Sequence, residues 1–118
     1  MKTFIAAIFL LFGIHANAAE LAYQGDKVDT LIDVRTPEEF ASGHIDGAIN
    51  IPYDQIDAKN ASVTAINKGR SIVVYCRSGR RSAIARESLQ QLGYRQVRDG
   101  GSMAAALSAV KRCKSGDC

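Results

Sequence analysis

The stretch Ser71-Ile72-Val73-Val74-Tyr75-Cys76-Arg77-Ser78-Gly79-Arg80-Arg81-Ser82 decides the fold of this chain. Residues 71–75 are mostly apolar and β-branched, which suits the pleated surface of a buried strand. The run ends at a cysteine and gives way to a basic loop. From Ser82 to Leu92, apolar side chains recur at 84, 85, 89 and 92, the spacing of a helix, and Gly93 stands where a left-handed cap would end it. A strand therefore hands a thiol to a loop, and a helix leaves that loop.

The same alternation extends outward. Upstream, Thr30 to Val34 (TLIDV) is a second buried-strand run. Thr36 follows as a helix N-cap, with Pro37 at the first helical position and Glu39 three residues on, which completes a capping box and predicts a helix over 37–42 that stops at Gly43. Ala48 to Ile51 reads as a strand closed by Pro52, 54–59 as a helical turn, and Asn60 as the cap of a short helix running to about Asn67. Downstream, 95–98 is a short strand before Gly100-Gly101, and the Ala-rich stretch 102–111 is the last helix. Strands alternating with helices predict an α/β fold: a single compact domain with a mainly parallel sheet flanked by helices. Such sheets take their ligands at the carboxyl ends of the strands, where Cys76 lies.

The N-terminus has a different character. Lys2, the eleven-residue apolar run Phe4 to Ile14 and Ala16-Asn17-Ala18 read as the charged start, apolar middle and small-residue cut of a secretory signal peptide. The run is short of the roughly 20 residues that a spanning helix needs. The expected organisation is a cleaved signal over 1–18, a domain over 19–112 and a Cys-containing tail over 113–118, exported to the periplasm with no stable membrane anchor. Residues 19–69 hold four Lys/Arg against nine Asp/Glu, a net of −5, whereas 70–118 hold ten against three, a net of +7. A basic half points to an anionic partner. Only Tyr75 and Tyr94 are aromatic there, which does not make the interleaved stacking pattern of a single-strand nucleic-acid binder. A small anion fits better, and no nucleic acid is expected.

The loop from Cys76 to Ser82 carries the candidate chemistry. Backbone N–H groups at a helix start point at an anion, and Arg77, Arg80 and Arg81 favour thiolate over thiol. An ordinary thiol with pKa about 8.5 is only about 3% ionised at pH 7, whereas electropositive helix-start sites hold pKa values of about 3.5–7.5. Cys76 is therefore the candidate nucleophile, and Arg77, Ser78, Gly79, Arg80, Arg81 and Ser82 the candidate substrate-binding residues. Gly79 lets the loop curve round the sulfur. Cys-dependent phosphatases place an Arg six residues after the Cys; here that position is Ser82, which counts against a phosphatase or arsenate reductase. The other cysteines, Cys113 and Cys118, are separated by four residues (KSGD) in a polar tail and are candidates to pair with each other in an oxidising compartment. His44 and the cysteines lack the spacing of a zinc site, so no metal is expected, and covalent chemistry on a thiol calls for no cofactor.

Three segments in order, 31–40 (LIDVRTPEEF), 43–52 (GHIDGAINIP) and 74–82 (VYCRSGRRS), with the later Leu92-Gly93-Tyr94 and Gly100-Gly101, resemble the rhodanese sulfurtransferases. The resemblance covers about residues 28–107. It implies a rhodanese fold and a thiosulfate sulfurtransferase in which Cys76 takes sulfane sulfur as a persulfide and passes it to cyanide or a thiol. The alternative is a non-catalytic persulfide carrier or partner-binding module. The six-residue loop 76–81 matches the sulfurtransferase length, and loop amides would stabilise the persulfide. Asp33 and Arg35 are expected to be structural near the site, with Arg35 paired to Glu39, and His44 to be structural. Asn50 and Met103 are candidates to line the pocket. Only about ten residues of the expected mature chain precede the first signature, so the domain resembles the compact, small periplasmic members of the family, with a shortened N-terminus.

Overall fold

The structure, a computed structural model, describes residues 20–113. The expected signal segment 1–18 lies outside the described residues. Four parallel strands form the main sheet in the order β4-β3-β5-β6, where β3 is Thr30–Asp33, β4 Ala48–Asn50, β5 Ser71–Cys76 and β6 Gln96–Ser102. The helices are α1 Pro37–Ala41, α2 Ala61–Thr64, α3 Arg80–Gln91 and α4 Met103–Ala109, with a 3-10 turn at Tyr53–Gln55. This is the α/β architecture expected from the alternation of runs.

Central strand β5 explains why the sheet needs cover on both faces. Alternate side chains leave a strand in opposite directions. Ile72, Val74 and Cys76 enter one core with Val34, Leu89 and Tyr94. Val73 and Tyr75 enter the other with Leu21, Leu31 and Ala106. All five side chains from Ile72 to Cys76 are fully buried, so the strand reads as a continuous apolar run rather than an alternating one. Strand β6 approaches closely because Gly100 has no side chain: a Cβ there would lie 3.1 Å from the Val74 carbonyl oxygen and 3.2 Å from Val73 Cγ1.

A second, antiparallel sheet was not anticipated. It has the order β2-β1-β7, from β1 Glu20–Tyr23, β2 Asp26–Val28 and β7 Val110–Cys113. Gln24 and Gly25 turn the hairpin with φ of 52° and 88°, the positive values that a tight two-residue turn requires. The Arg98 guanidinium lies 4.6 Å over the Tyr23 ring and donates to Gln24 Oε1, which fastens this sheet to β6. The predicted last helix ran to Lys111, but it stops at Ala109 and the chain continues as β7. Alanine favours helix locally, whereas pairing of β7 with β1 across Glu20↔Cys113 to Tyr23↔Val110 decides the outcome. Cys113, assigned to the tail by sequence, is the last residue of that strand. The helix capped by Asn60 is shorter than expected, because the Asn67 carboxamide and carbonyl bond Gly69 and Arg70 in a turn of their own.

One expected ion pair is replaced by another. Arg35 does not pair with Glu39. Its Nε and Nη2 donate to the Asp33 carboxylate at 2.7–3.0 Å, and its backbone N–H does so at 2.9 Å. Residues two apart in extended chain share a face, so Asp33 was the nearer partner. Arg35 Nη2 also reaches the Gly43 carbonyl, and Asn50 Nδ2 donates to the carbonyls of Asp33 and Arg35. Asn50, a candidate pocket residue, thus ties backbone. The pair is buried, with side-chain exposures of 6% for Arg35 and 0% for Asp33. Removing one partner strands the other charge without solvent. Arg35→Met should therefore lower the unfolding free energy by about 3–5 kcal/mol, as read from urea denaturation. A loss under about 1 kcal/mol would mean that the pair behaves as a solvated surface bridge.

Candidate active site

Strand β5 ends at Cys76, and the thiol is wholly buried. The Gly79 N–H donates to Sγ at 2.9 Å and the Ser82 N–H at 3.4 Å. Gly79 makes this possible: as the N-cap of α3 it holds φ of 104°, in the left-handed region that suits glycine. The space beside it is adequate for a Cβ, whose nearest neighbour would be Gly101 Cα at 3.8 Å, so conformation and not crowding requires glycine here. Ser78 bridges to Ser102, which seats the loop against the end of β6.

Two effects oppose each other at the thiol. Burial pushes its pKa up. The Ser82 hydroxyl and the N–H groups of Ser82, Gly79 and Ser78 favour the thiolate and prevail, so Cys76 is more acidic than an ordinary thiol. The Ser82 hydroxyl has a single proton for two acceptors, the sulfur and the Gly79 carbonyl oxygen 2.9 Å away.

The three arginines play unequal parts. Arg81 Nη1 and Nη2 donate to the two Glu39 carboxylate oxygens at 2.8 and 3.2 Å. Arg77 is 72% exposed and its Nε lies 3.6 Å from Glu39 Oε2. Arg80 is exposed in the first turn of α3, which starts two residues before the position expected from sequence. Glu39 also completes the predicted capping box with Thr36. Hydrogen bonding from Arg81, then from the Thr36 N–H, pulls the Glu39 carboxyl down to about 2. The link from Glu39 to the loop spans 42 positions and had no signal in the sequence beyond the two charges.

The remaining candidates lie around this centre. His44 stacks on Phe40 at 3.6 Å and its Nδ1 meets the Phe40 carbonyl at 2.8 Å, so its ring serves the turn after α1. Met103 packs against the core that contains Tyr75. The Tyr75 hydroxyl accepts from the Ile45 N–H at 2.9 Å, and burial raises its pKa to about 12. The proposed partner of Cys113, Cys118, lies outside the described residues. Concavities of about 430 and 390 Å³ occur beside Asn67 and Arg70 and beside Gln24 and Lys111; neither includes the loop. Among the described residues no group of His, Cys, Asp and Glu could hold a metal ion, and no helix is long and apolar enough to cross a membrane.

A thiol at a parallel-strand end thus accepts hydrogen bonds from the N–H groups of Gly79 and Ser82. The rhodanese-like domain profile matches residues 16–105. This chain belongs to the rhodanese-like domain family. It is 34% identical over 102 residues to the thiosulfate sulfurtransferase PspE of Escherichia coli, covering 86% of this chain and 88% of that protein. It is 40% identical over 90 residues to thiosulfate sulfurtransferase 16, chloroplastic, of Arabidopsis thaliana, covering 67% of this chain and 75% of that one. Among solved structures, a rhodanese with anions from E. coli superposes with a TM-score of 0.60 at 36% identity, over 70% of this chain and 95% of that chain. The described fold is thus a rhodanese fold, and the chain is a sulfurtransferase by family.

The balance at the thiol predicts a measurable shift. Alkylation of Cys76 by iodoacetamide should have its pH midpoint below that of an ordinary thiol. Ser82→Ala removes the hydroxyl but keeps the N–H, and should raise the midpoint without abolishing the reaction. A midpoint unmoved by Ser82→Ala would assign the acidity to the backbone amides alone.

Proposed function

We propose that the protein is a thiosulfate sulfurtransferase that carries sulfane sulfur as a persulfide on Cys76. The Cys76 thiolate attacks the outer sulfur of thiosulfate. The sulfur–sulfur bond of the donor breaks, sulfite leaves with the electron pair, and Cys76 holds one extra sulfur. Cyanide or a thiolate then attacks that outer sulfur, the persulfide bond breaks and the Cys76 thiolate returns. The observation that carries this reading is the buried sulfur with inward N–H groups. These donors can hold negative charge on either sulfur without a metal or an organic cofactor. Arg77 and Arg80, exposed on the loop, are suited to draw in the dianionic donor. Ser82 stands where a Cys-dependent phosphatase would place its arginine, which favours sulfur over phosphoryl transfer.

The reading extends to residues outside the described part. Removal of 1–18 would release the domain to the periplasm. A Cys113–Cys118 pairing there would leave Cys76 as the reactive thiol, and thiol titration of the unreduced protein should then find one group per chain.

The decisive experiment is thiosulfate:cyanide sulfur transfer by residues 19–118 beside Cys76→Ser. Thiocyanate should form with the parent protein and fall to background in the variant, while thermal unfolding stays cooperative in both. Full activity in Cys76→Ser would refute the mechanism. A stable persulfide on Cys76 without thiocyanate would replace turnover with carriage of sulfur to a protein acceptor.

A further inference from the structure

We propose that Glu39 is a specificity-determining counter-charge: it commits Arg81 to an internal pair and leaves Arg77 and Arg80 as the ligands of the anionic donor. The proposal rests on the reading of the loop as the anion-binding cradle of sulfur transfer. It names a residue 37 positions before Cys76 as the one that sets how strongly that cradle holds charge.

The geometry separates the three guanidiniums. Arg81 meets Glu39 fork to fork at 2.8 and 3.2 Å, and its side chain is only 21% exposed. Glu39 is itself held. Thr36 donates to its Oε1 from the backbone N–H at 3.0 Å and from the hydroxyl at 3.2 Å. One carboxylate therefore receives two donors from the start of α1 and two from the start of α3. It stays ionised throughout the neutral range, since its pKa is drawn to about 2. Arg77, in contrast, is 72% exposed and lies 3.6 Å from Glu39, a contact that a solvated side chain exchanges easily for an incoming anion. Arg80 is exposed, in the first turn of α3.

Charge counting gives this arrangement a function. Three guanidiniums and one carboxylate make a cradle of net +2, and the thiolate reduces it to +1. The first half-reaction exchanges one anion for another, because thiosulfate enters and sulfite leaves. A cradle that held anions too tightly would retain sulfite and would fill with ambient sulfate or phosphate. Glu39 limits that retention. Without its charge, Arg81 becomes a third free guanidinium and the cradle gains one unit of positive charge.

The test measures anion binding without turnover. Cys76 is alkylated with neutral iodoacetamide at fixed ionic strength and pH, in rising inorganic sulfate, and the half-protecting concentration is read. Glu39→Gln keeps the capping box, because glutamine also serves at that position, and removes the charge. Its half-protecting sulfate concentration should be roughly threefold to fivefold lower than in the parent. In the thiosulfate:cyanide assay, KM for thiosulfate should fall and sulfite should inhibit more strongly. Glu39→Asp keeps the charge while losing the cap, and should show no such tightening. Should Glu39→Gln alone fail to fold, the double variant Glu39→Gln/Arg81→Gln, which strands no charge, carries the test. It should bind sulfate within about twofold of the parent, whereas binding tenfold weaker would show Arg81 to be the anion's own ligand and overturn the proposal. Equal protection in the parent and Glu39→Gln, or none in either, would overturn it as well. Loss of thiocyanate formation with the sulfate shift intact would count against sulfur transfer and leave the counter-charge standing.

Discussion

A sulfur atom with no exposed surface sits at the end of the central strand of a parallel sheet, and its surroundings must supply what water cannot. Burial of a group that carries negative charge is costly unless polar hydrogens converge on it. Here they come from Gly79 and Ser82, with Ser78 contributing. That demand fixes the loop. It requires a positive φ at Gly79, an immediate helix start at Arg80 and a seat for Ser78 against Ser102. The close approach of β6 at Gly100 brings that seat into position. The requirements of one atom thus reach across two strands and a helix.

Two carboxylates organise the ground around this loop, and they do so differently. Asp33 is fully buried and satisfied by Arg35, which in turn grips the Gly43 carbonyl, so the first two sequence segments are locked together behind the site. Glu39 is partly exposed and faces the loop, where it holds Arg81 and offsets part of the local positive charge. A buried pair confers shape, and a half-buried pair tunes potential. Exchanging their positions would lose both properties, because a carboxylate with no solvent cannot release an arginine at low cost.

Much of this was legible in the chain. Local signals were reliable where the determinant was local: the apolar run before Cys76, the Thr36 capping box and the Asn60 cap all appear where the residues place them. The loop could be placed between a strand and a helix because a basic, glycine-containing run separates an apolar stretch from a helically spaced one. What escaped the sequence depended on distant partners. Strand β7 begins at the end of the alanine-rich stretch expected to be helix, and its pairing with β1 accompanies the extended conformation. Arg35 was assigned the wrong carboxylate because an extended backbone places residues two apart side by side, a relation less conspicuous than a charge near a helix start. The attachment of Glu39 to Arg81 joins residues 42 positions apart, and no periodicity encodes it.

The antiparallel pairing of β1 with β7 also has a mechanical meaning. Glu20 and Cys113 face each other at the same end of that ladder. A force applied between these two residues would load its hydrogen bonds one after another, as a zipper opens, and would not shear them together. The small sheet is then a tear-away closure. It would peel from its open end toward Tyr23 and Val110 at low force, and tension would reach the parallel sheet and the sulfur-bearing loop only after it had opened.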